Sequence, residues 1–183
     1  MSYAMNSAKQ IWEIVKPFTE RLEVNKKHTL IHEGTFCETV YFIESGCVRS
    51  WFNQDGKDVS FQFFMSDTII TACDSFLFGE PSSFTYETLT PSIVHSIQAS
   101  ELKDIMDNNV SLKDIAFTLL SERLRHYQRL FLSRIKDTPQ QRYEELVKQS
   151  PELIRAIPQH YIASYLGITS VSLSRIRCRN YPH

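Results

Sequence analysis

The spacing of apolar residues changes along the chain and divides it into three regions. Residues 7–18 show helical spacing, which predicts a short N-terminal helix. From His28 to about Ile97, short runs rich in β-branched and aromatic residues alternate with turn residues such as Glu44-Ser45-Gly46. Short strands repeated at this spacing are typical of a β-sandwich or β-barrel. Beyond Ile97 the helical spacing returns, so the sequence predicts a β-domain followed by helices.

The longest helical region runs from Ser111 to Lys136 and contains neither proline nor glycine. At 1.5 Å per residue such a helix is roughly 35–40 Å long, more than one small barrel can cover. Its apolar stripe is also too wide for a single packing surface. We therefore predict a dimerisation helix that packs on the barrel and on a second copy, with its seam at Leu120, Leu124, Tyr127 and Phe131. The alternative is an ordinary core helix of a helical domain.

The C-terminal region has the pattern of a helix-turn-helix. Thr138 and Gln141 form a candidate capping box at the start of a preceding helix. Pro158 then opens a helix, Gly167 allows the positive φ of a tight turn, and Thr169 is suited to cap the next helix.

The outer face of that last helix carries short hydroxyls, a small apolar group and guanidinium groups. This mixture suits phosphate oxygens, base edges and thymine methyls in a major groove. From Ile157 to the end there are three arginines and no acid. The predicted DNA-binding residues are Thr169, Ser170, Val171, Ser172, Ser174, Arg175, Arg177 and Arg179. Helical hairpins of the same spacing also occur in proteins that do not bind DNA, which is the alternative here.

Charge is distributed unevenly over the 183 residues, although the net charge is only −1. Residues 1–110 carry a net charge of −7, whereas residues 111–138 and 139–183 each carry +3. An acidic front and a basic rear indicate two modules, of which the rear one faces a polyanion. The 42% hydrophobic and 12% aromatic content is enough for a core and excludes a disordered chain.

Several other classes of protein are disfavoured by the sequence. No apolar run reaches the roughly 18 residues of a membrane span, and the start lacks a signal-peptide pattern, so we expect a soluble, cytoplasmic protein with no membrane partner. The four cysteines form no C-x-x-C pair, and we expect buried free thiols. His28 and His32 are about 13 Å apart along a strand, too far to share an ion. We expect no metal site and no enzyme; a cupin-like metal enzyme is the alternative from another class.

The order of β-roll, long helix and helix-turn-helix resembles the cyclic-AMP receptor protein/fumarate-nitrate regulator (Crp/Fnr) family of bacterial transcription factors. The resemblance rests on Glu33-Gly34, on residues 41–48 and on two parts of the tail, residues 162–168 and 173–177. It implies an α+β fold with a cyclic-nucleotide-binding-like jelly roll as sensor domain (1–110), a dimerisation helix (111–137) and a helix-turn-helix domain (138–183). It also implies a homodimer on an inverted-repeat operator in double-stranded DNA, with RNA polymerase as a further candidate partner.

The chain departs from this family in its phosphate cassette. Nucleotide-binding members carry Gly-Glu and, about ten residues later, Arg-Ser. Here the corresponding pairs are Thr71-Ala72 and Ser82-Ser83, and no lysine or arginine occurs from Asp58 to Leu102. A buried phosphodiester without a charged partner is costly, so we expect no cofactor and weak or absent cyclic-AMP binding.

A more neutral effector, or none, is expected instead. The candidate effector pocket comprises Thr71, Ala72, Cys73, Asp74, Ser82, Ser83, Arg123 and Tyr127. The main alternative is a cyclic-nucleotide-responsive regulator that uses Arg123 on the long helix as the phosphate partner.

Three further alternatives concern the sensor and its output. An iron–sulfur cluster is disfavoured because no cysteine precedes Cys37. Haem ligation by His95 or Cys73 has no support beyond the residue types. A dimeric sensor that binds a protein partner rather than DNA is the third.

Overall fold

A computed structural model describes the backbone of residues 2–180 and the side chains of residues 6–178. The chain divides into two compact units, each discontinuous in sequence. Unit 1 comprises residues 1–50 and 63–125, and unit 2 comprises residues 51–62 and 126–183. The division falls inside the long helix, and the predicted domain limits at 110 and 137 remain predictions.

Within the residues that the structure describes, eight strands form two four-stranded sheets. One sheet has the order β1-β8-β3-β6 and the other β2-β7-β4-β5. The pairs β1/β8, β2/β7, β3/β6 and β3/β8 are antiparallel, as expected of a β-roll. The strands are β1 Glu20–Val24, β2 Thr29–Ile31, β3 Thr39–Ser45, β4 Val48–Gln54, β5 Lys57–Phe64, β6 Thr68–Ile70, β7 Thr85–Thr88 and β8 Ser92–Gln98.

The tight turn between β3 and β4 depends on glycine. Gly46 has a φ of +104°, which side chains of L-residues rarely adopt. A Cβ atom at this position would also overlap the side chain of Ser92. The pairing of β3 with β8 shifts register between Ile43 and Ser45, immediately before this turn. Any other residue at position 46 would therefore disturb both the turn and the adjacent strand.

The core of unit 1 includes two apolar clusters. The first joins helices α1 (Ser2–Val15), α2 (Ala99–Asp107) and the start of α3 (Val110–Lys136) to one sheet. Here Trp12 stacks on Phe42 with 4.2 Å between ring centroids. The second cluster fills the inside of the roll and includes Ile43, Val48 and Val94. Each fully buried side chain of this kind contributes about 1.5–3 kcal/mol through burial, so the clusters hold the helices on the roll.

Unit 2 consists of helices and one β-hairpin tip. Besides the end of α3 it contains α4 Pro139–Gln149, α5 Pro151–Ala156, α6 Gln159–Leu166 and α7 Ser170–Asn180. The predicted capping box is present, because the Thr138 amide donates to Gln141 Oε1 at 2.8 Å and the Gln141 amide donates to Thr138 Oγ1 at 3.3 Å.

The structure differs from the sequence predictions in two places. The first helix spans Ser2–Val15 and is followed by a 3₁₀ turn over Lys16–Phe18, where Pro17 removes a backbone donor. All four cysteines are free, but Cys73 and Cys178 are exposed, so the prediction of burial is wrong for these two. It is right for Cys47, where burial raises the pKa of the thiol to about 12.

Two negative findings apply to the described part of the chain. Within it, no helix combines the length and apolar character needed to cross a membrane. The same residues contain no group of three histidine, cysteine or acidic side chains arranged to hold a metal ion.

Candidate functional site

The turn between α6 and α7 has the geometry that its sequence predicts. Gly167 adopts a left-handed conformation with φ 69° and ends α6. The Ile168 amide then donates to Ala163 O, and the Ser172 amide donates to Thr169 Oγ1 at 3.1 Å, which caps α7. Leu173 of α7 is fully buried. The two helices are therefore joined by a short turn of defined geometry.

The predicted DNA-binding residues share one segment of the chain but differ in exposure. Ser170, Val171, Ser174 and Arg175 are exposed on α7, with Val171 61% exposed. Thr169 is exposed at the start of α7, and Ser172 lies against it with 3.0 Å between the two hydroxyls.

The last two arginines of the predicted set have other surroundings. Arg177 is half-buried. The side chain of Arg179 lies outside the described residues. The exposed face of α7 thus contains hydroxyls, Val171 and Arg175, and the sequence of the helix contains no acid.

Two arginines that the sequence analysis did not single out bind the end of α6. Arg134 on α3 donates to Tyr165 O at 2.8 Å, and Arg142 on α4 donates to Leu166 O at 3.0 Å. These carbonyls belong to the last turn of α6, which lacks helical partners for them. Part of the positive charge of residues 111–183 therefore holds the fold together. No signal of sequence spacing indicates these contacts, because they join residues 24 and 31 positions apart.

The tip of the β4–β5 hairpin belongs to unit 2 and contacts α6. The Ser60 amide donates to Ser164 Oγ at 2.9 Å, and Ser164 Oγ donates to Asp58 O at 3.3 Å. In the same unit Tyr127 donates to Gln62 Oε1 at 2.8 Å. Ser164 thus connects a helix of the candidate DNA-binding pair to a hairpin more than a hundred positions earlier.

Helix α3 carries a row of exposed apolar side chains. The distance along the sequence between successive members of the row is alternately three and four residues. The members are the exposed Phe117, Leu120, Leu124 and Phe131 and the half-buried Tyr127. That spacing is the a/d repeat of helices that pair along a seam. Phe131 is 66% exposed, which is unusual for a large apolar side chain in a single chain. These residues include the four that were predicted for the dimer, and we call the row the α3 seam.

An apolar cavity of about 160 Å³ lies in unit 1 between α1, one sheet, α2 and the first half of α3. Of the predicted effector-pocket residues, Thr71, Cys73 and Arg123 line it. Ala72, Asp74, Ser82 and Ser83 are not among its lining residues, and Tyr127 belongs to unit 2. The structure therefore brings together three of the eight candidates, together with apolar residues that the sequence analysis did not assign to a site.

The segment that corresponds to the phosphate cassette is arranged around an acid. The Ser83 amide donates to Asp74 Oδ2 at 2.9 Å, and Ser82 is buried with its hydroxyl donating to Phe84 O at 2.7 Å. The Asp74 carboxylate therefore already accepts the hydrogen bond of the Ser83 amide. In the family's pattern a phosphate would lie at this place. Arg123 instead donates to the backbone carbonyl of Ile69.

One buried cation of the roll was missed by the sequence analysis. Arg49 on β4 is fully buried and pairs with Glu87 on β7, with 3.3 Å between Nη2 and Oε1. Since Glu87 neutralises it, Arg49 supplies little net charge for an anionic ligand. Arg49 lies within a run of β-branched and aromatic residues. In the sequence it is visible only as a charged residue that interrupts the strand pattern, and nothing there indicates its burial or its partner.

His95 lies at the edge of the apolar cavity and is engaged on both ring nitrogens. Nε2 is 2.6 Å from Glu44 Oε2, and Nδ1 is 3.4 Å from Thr19 Oγ1. The edge of the ring also contacts Trp12. The hydrogen bond from His95 lowers the pKa of Glu44 below its usual value. These partners leave His95 poorly placed to ligate a haem iron.

Comparison with known families identifies the β-roll. Residues 21–109 match the family described as the cyclic nucleotide-binding domain. This segment is a cyclic nucleotide-binding domain. Comparison with curated proteins gives no match.

Solved structures similar to the whole chain place this domain in a longer arrangement. FixK2 from Bradyrhizobium japonicum matches with a TM-score of 0.74 at 19% identity, covering 88% of this chain and 83% of FixK2. The c-di-GMP responsive global regulator CLP of Xanthomonas campestris matches with a TM-score of 0.71 at 14% identity, covering 94% of this chain and 91% of CLP.

A third similar structure is the catabolite activator protein of Thermus thermophilus, with a TM-score of 0.59 and 16% identity over 93% of this chain and 82% of that protein. At these identities the likeness concerns the fold. The chain has a cyclic nucleotide-binding domain and the fold of Crp/Fnr-type transcriptional regulators. Of these three proteins, CLP is described as a global regulator and the Thermus protein as a catabolite activator.

Proposed function

We propose that this chain is a transcriptional regulator that binds double-stranded DNA through α7 as a homodimer on an inverted-repeat operator. The observation that carries the proposal is the exposed, acid-free face of α7, with Arg175, Val171 and three hydroxyls on or beside it. Guanidinium groups read guanine edges, hydroxyls bind phosphate or bases, and a small apolar group fits a thymine methyl. Arg134 and Arg142 hold the end of α6 by hydrogen bonds, and α7 follows after a short turn. These contacts support a fixed position of α7 within unit 2.

The homodimer is supported by the α3 seam. In the single chain, Leu124 is 61% exposed and Phe131 is 66% exposed. Contact between this apolar surface and water is unfavourable. A second copy related by two-fold symmetry presents the same seam to itself and covers both. Two copies of α7 then face DNA together, which matches the symmetry of an inverted repeat.

The cyclic nucleotide-binding domain is proposed as the sensor, with an effector other than cyclic AMP. An anionic effector would need hydrogen-bond donors, and two candidates already have carboxylate partners. Asp74 accepts from the Ser83 amide, and Glu87 pairs with Arg49. We propose the division into sensor domain (1–110), dimerisation helix (111–137) and DNA-binding domain (138–183) as the functional organisation.

Selection from random duplex DNA tests the proposal directly. The full chain should enrich an inverted repeat, and binding to the enriched duplex is then measured by fluorescence anisotropy at fixed salt. The matched control is Arg175→Glu, which puts an acid on the same face and should remove the enrichment. A chain that enriches no sequence and binds all duplexes weakly would contradict the proposal and favour a sensor that binds a protein partner.

A further inference from the structure

The cavity in unit 1 is lined almost wholly by carbon. Most of its lining residues are apolar, and they come from α1, β3, β8, α2 and α3; representative positions are Ile11, Phe42, Ile97, Leu102, Leu112 and Leu119. All of them belong to the first apolar cluster of unit 1. The cavity is therefore a gap in the core and differs in position from the cassette segment around Asp74 and Ser83.

The polar side chains around the cavity are already bonded to protein groups. Thr71 donates to Thr39 O at 3.2 Å, and Tyr41 donates to Leu30 O at 3.3 Å. Arg123 donates to a backbone carbonyl of β6, and His95 is engaged by Glu44 and Thr19. These bonds leave little for a bound water, which needs two to four polar partners, so the apolar interior of the cavity holds water poorly. A charged ligand would lose its water here with Arg123, already bonded to a carbonyl, as its charged partner, so a neutral ligand is favoured.

The size of the cavity defines the ligand. A volume of about 160 Å³ is close to that of apolar protein cavities that stay dry and take up benzene. Two lining residues outside the α3 seam, Cys73 and Leu77, reach the surface and mark a route of entry. A longer chain or a nucleotide exceeds this volume, whereas one six-membered ring with a small substituent fits it.

We infer that the cavity between α1, β3 and α3 is a binding site for a neutral, apolar, single-ring compound. It is the sensor pocket of the proposed regulator, and only that role rests on the proposed function. Ala116 on α3 lines the cavity and is the smallest side chain on the α3 side. A leucine there fills the space that the ring would take.

Ligand-observed fluorine NMR with fluorobenzene and 4-fluorobenzoate tests the site on the full chain without DNA. Fluorobenzene should bind, with line broadening that saturates, whereas 4-fluorobenzoate, the same ring with a charge, should not. Ala116→Leu should weaken fluorobenzene binding by at least about tenfold, or 1.4 kcal/mol. Thr118→Leu, which places the same leucine at an exposed position of α3, should leave it unchanged.

Crystals of the unaltered chain soaked in bromobenzene give a second readout that needs no variant. The anomalous bromine signal should lie between Phe42 and Leu119. Equal binding of both fluorinated rings, equal binding by the two variants, or bromine found only elsewhere would overturn the inference. Because none of these measurements involves DNA, their failure is distinguishable from failure of the proposed DNA binding.

Discussion

Arginine side chains in unit 2 lie in two kinds of environment. Arg134 and Arg142 donate to the terminal carbonyls of α6, so their charge is already engaged by the fold. Arg175 is exposed on α7, one turn beyond the capped start of that helix. The net positive charge of residues 111–183 therefore overstates the charge available to a polyanion, and Arg175 is an exposed guanidinium that we propose contacts a base.

Replacing Arg175 by alanine should weaken binding to the selected operator by about 1–3 kcal/mol. A bidentate contact to guanine is lost, so specificity should relax at one position in each half-site. Competition between operators that differ at single positions measures this by anisotropy. Arg155→Ala, an exposed arginine on α5, is the control and should have a smaller effect. Equal weakening on all sequences would assign Arg175 to phosphate.

The interaction between His95 and Glu44 should make the free energy of unfolding depend on pH in the acidic range. The pKa of Glu44 is lowered in the folded chain, so its stabilisation is present above the usual value of 4.5 and is lost as pH falls through the lowered pKa. Glu44→Gln should therefore be less stable than the parent at neutral pH, and the two should converge as pH falls through the lowered pKa of Glu44. The effect should be small because nearly half of Glu44 is in contact with solvent, which screens the pair.

Urea unfolding at a series of pH values measures this difference in free energy. Glu13→Gln, at an exposed position of α1, is the control and should show no convergence of this kind. A gap between Glu44→Gln and the parent that does not narrow anywhere in the acidic range below pH 4.5 would assign the contribution of Glu44 to something other than its charge.

Helix α3 is the element from which we most strongly expect dimerisation. Its seam alternates in steps of three and four over Phe117, Leu120, Leu124, Tyr127 and Phe131, while Leu112 and Leu119 face the core of unit 1. One helix thus has two apolar faces with different partners. The first is buried within the chain, and the second is the proposed dimer interface.

Leu124→Glu should disrupt dimerisation and DNA binding together. Two-fold symmetry would bring two unpaired carboxylates into one apolar seam, which is strongly unfavourable. Light scattering and anisotropy on the same samples measure both effects. Thr118→Glu adds the same charge at an exposed position outside the seam and should leave the dimer intact. A parent chain that scatters as a monomer of about 21 kDa at micromolar concentration would contradict the seam itself.

The segment from Thr71 to Ser83 should not bind cyclic AMP. The Asp74 carboxylate already accepts the Ser83 amide, and residues 58–102 contain no lysine or arginine to neutralise a phosphate. Isothermal titration calorimetry should give no heat of binding at micromolar concentrations of protein. Arg123→Ala is the informative companion: if cyclic AMP did bind, loss of binding in this variant would make Arg123 the phosphate partner.

Local signals predicted the elements well, whereas the contacts between distant parts of the chain could not be predicted. The capping box at Thr138, the turn at Gly167 and the extent of α3 all depend on neighbours within a few positions. Burial of Arg49 beside Glu87 depends on the pairing of strands nearly forty residues apart, and the cavity depends on how three helices meet one sheet. Only Thr71, Cys73 and Arg123 of the predicted pocket line that cavity, because the family's pattern pointed to the cassette and not to the helices.

For the whole molecule, the proposed dimer fixes the geometry of its operator. Two half-sites should lie about one helical turn apart, roughly 34 Å or 10–10.5 base pairs. Inserting five base pairs between them should abolish binding of the dimer to both half-sites at once, because the half-sites then face opposite sides of the duplex. Anisotropy with the parent and expanded operators measures this, and a ten-base-pair insertion is the control for length. Unchanged affinity after five base pairs would mean that one subunit binds alone.

The dependence on salt should be steep for the same complex. The logarithm of the association constant should fall with the logarithm of salt concentration by about 0.9 per phosphate neutralised.

The discontinuity of unit 2 has a consequence for the order in which the chain is made. Residues 51–62 leave the ribosome early, but Ser164, which binds Ser60 and Asp58, follows more than a hundred residues later. The unit that carries α7 therefore cannot be completed until Ser164 has been made. A fragment that begins at residue 126 would lack the hairpin altogether, so the candidate DNA-binding helices should reach their full stability only in a chain that contains both the hairpin and α6.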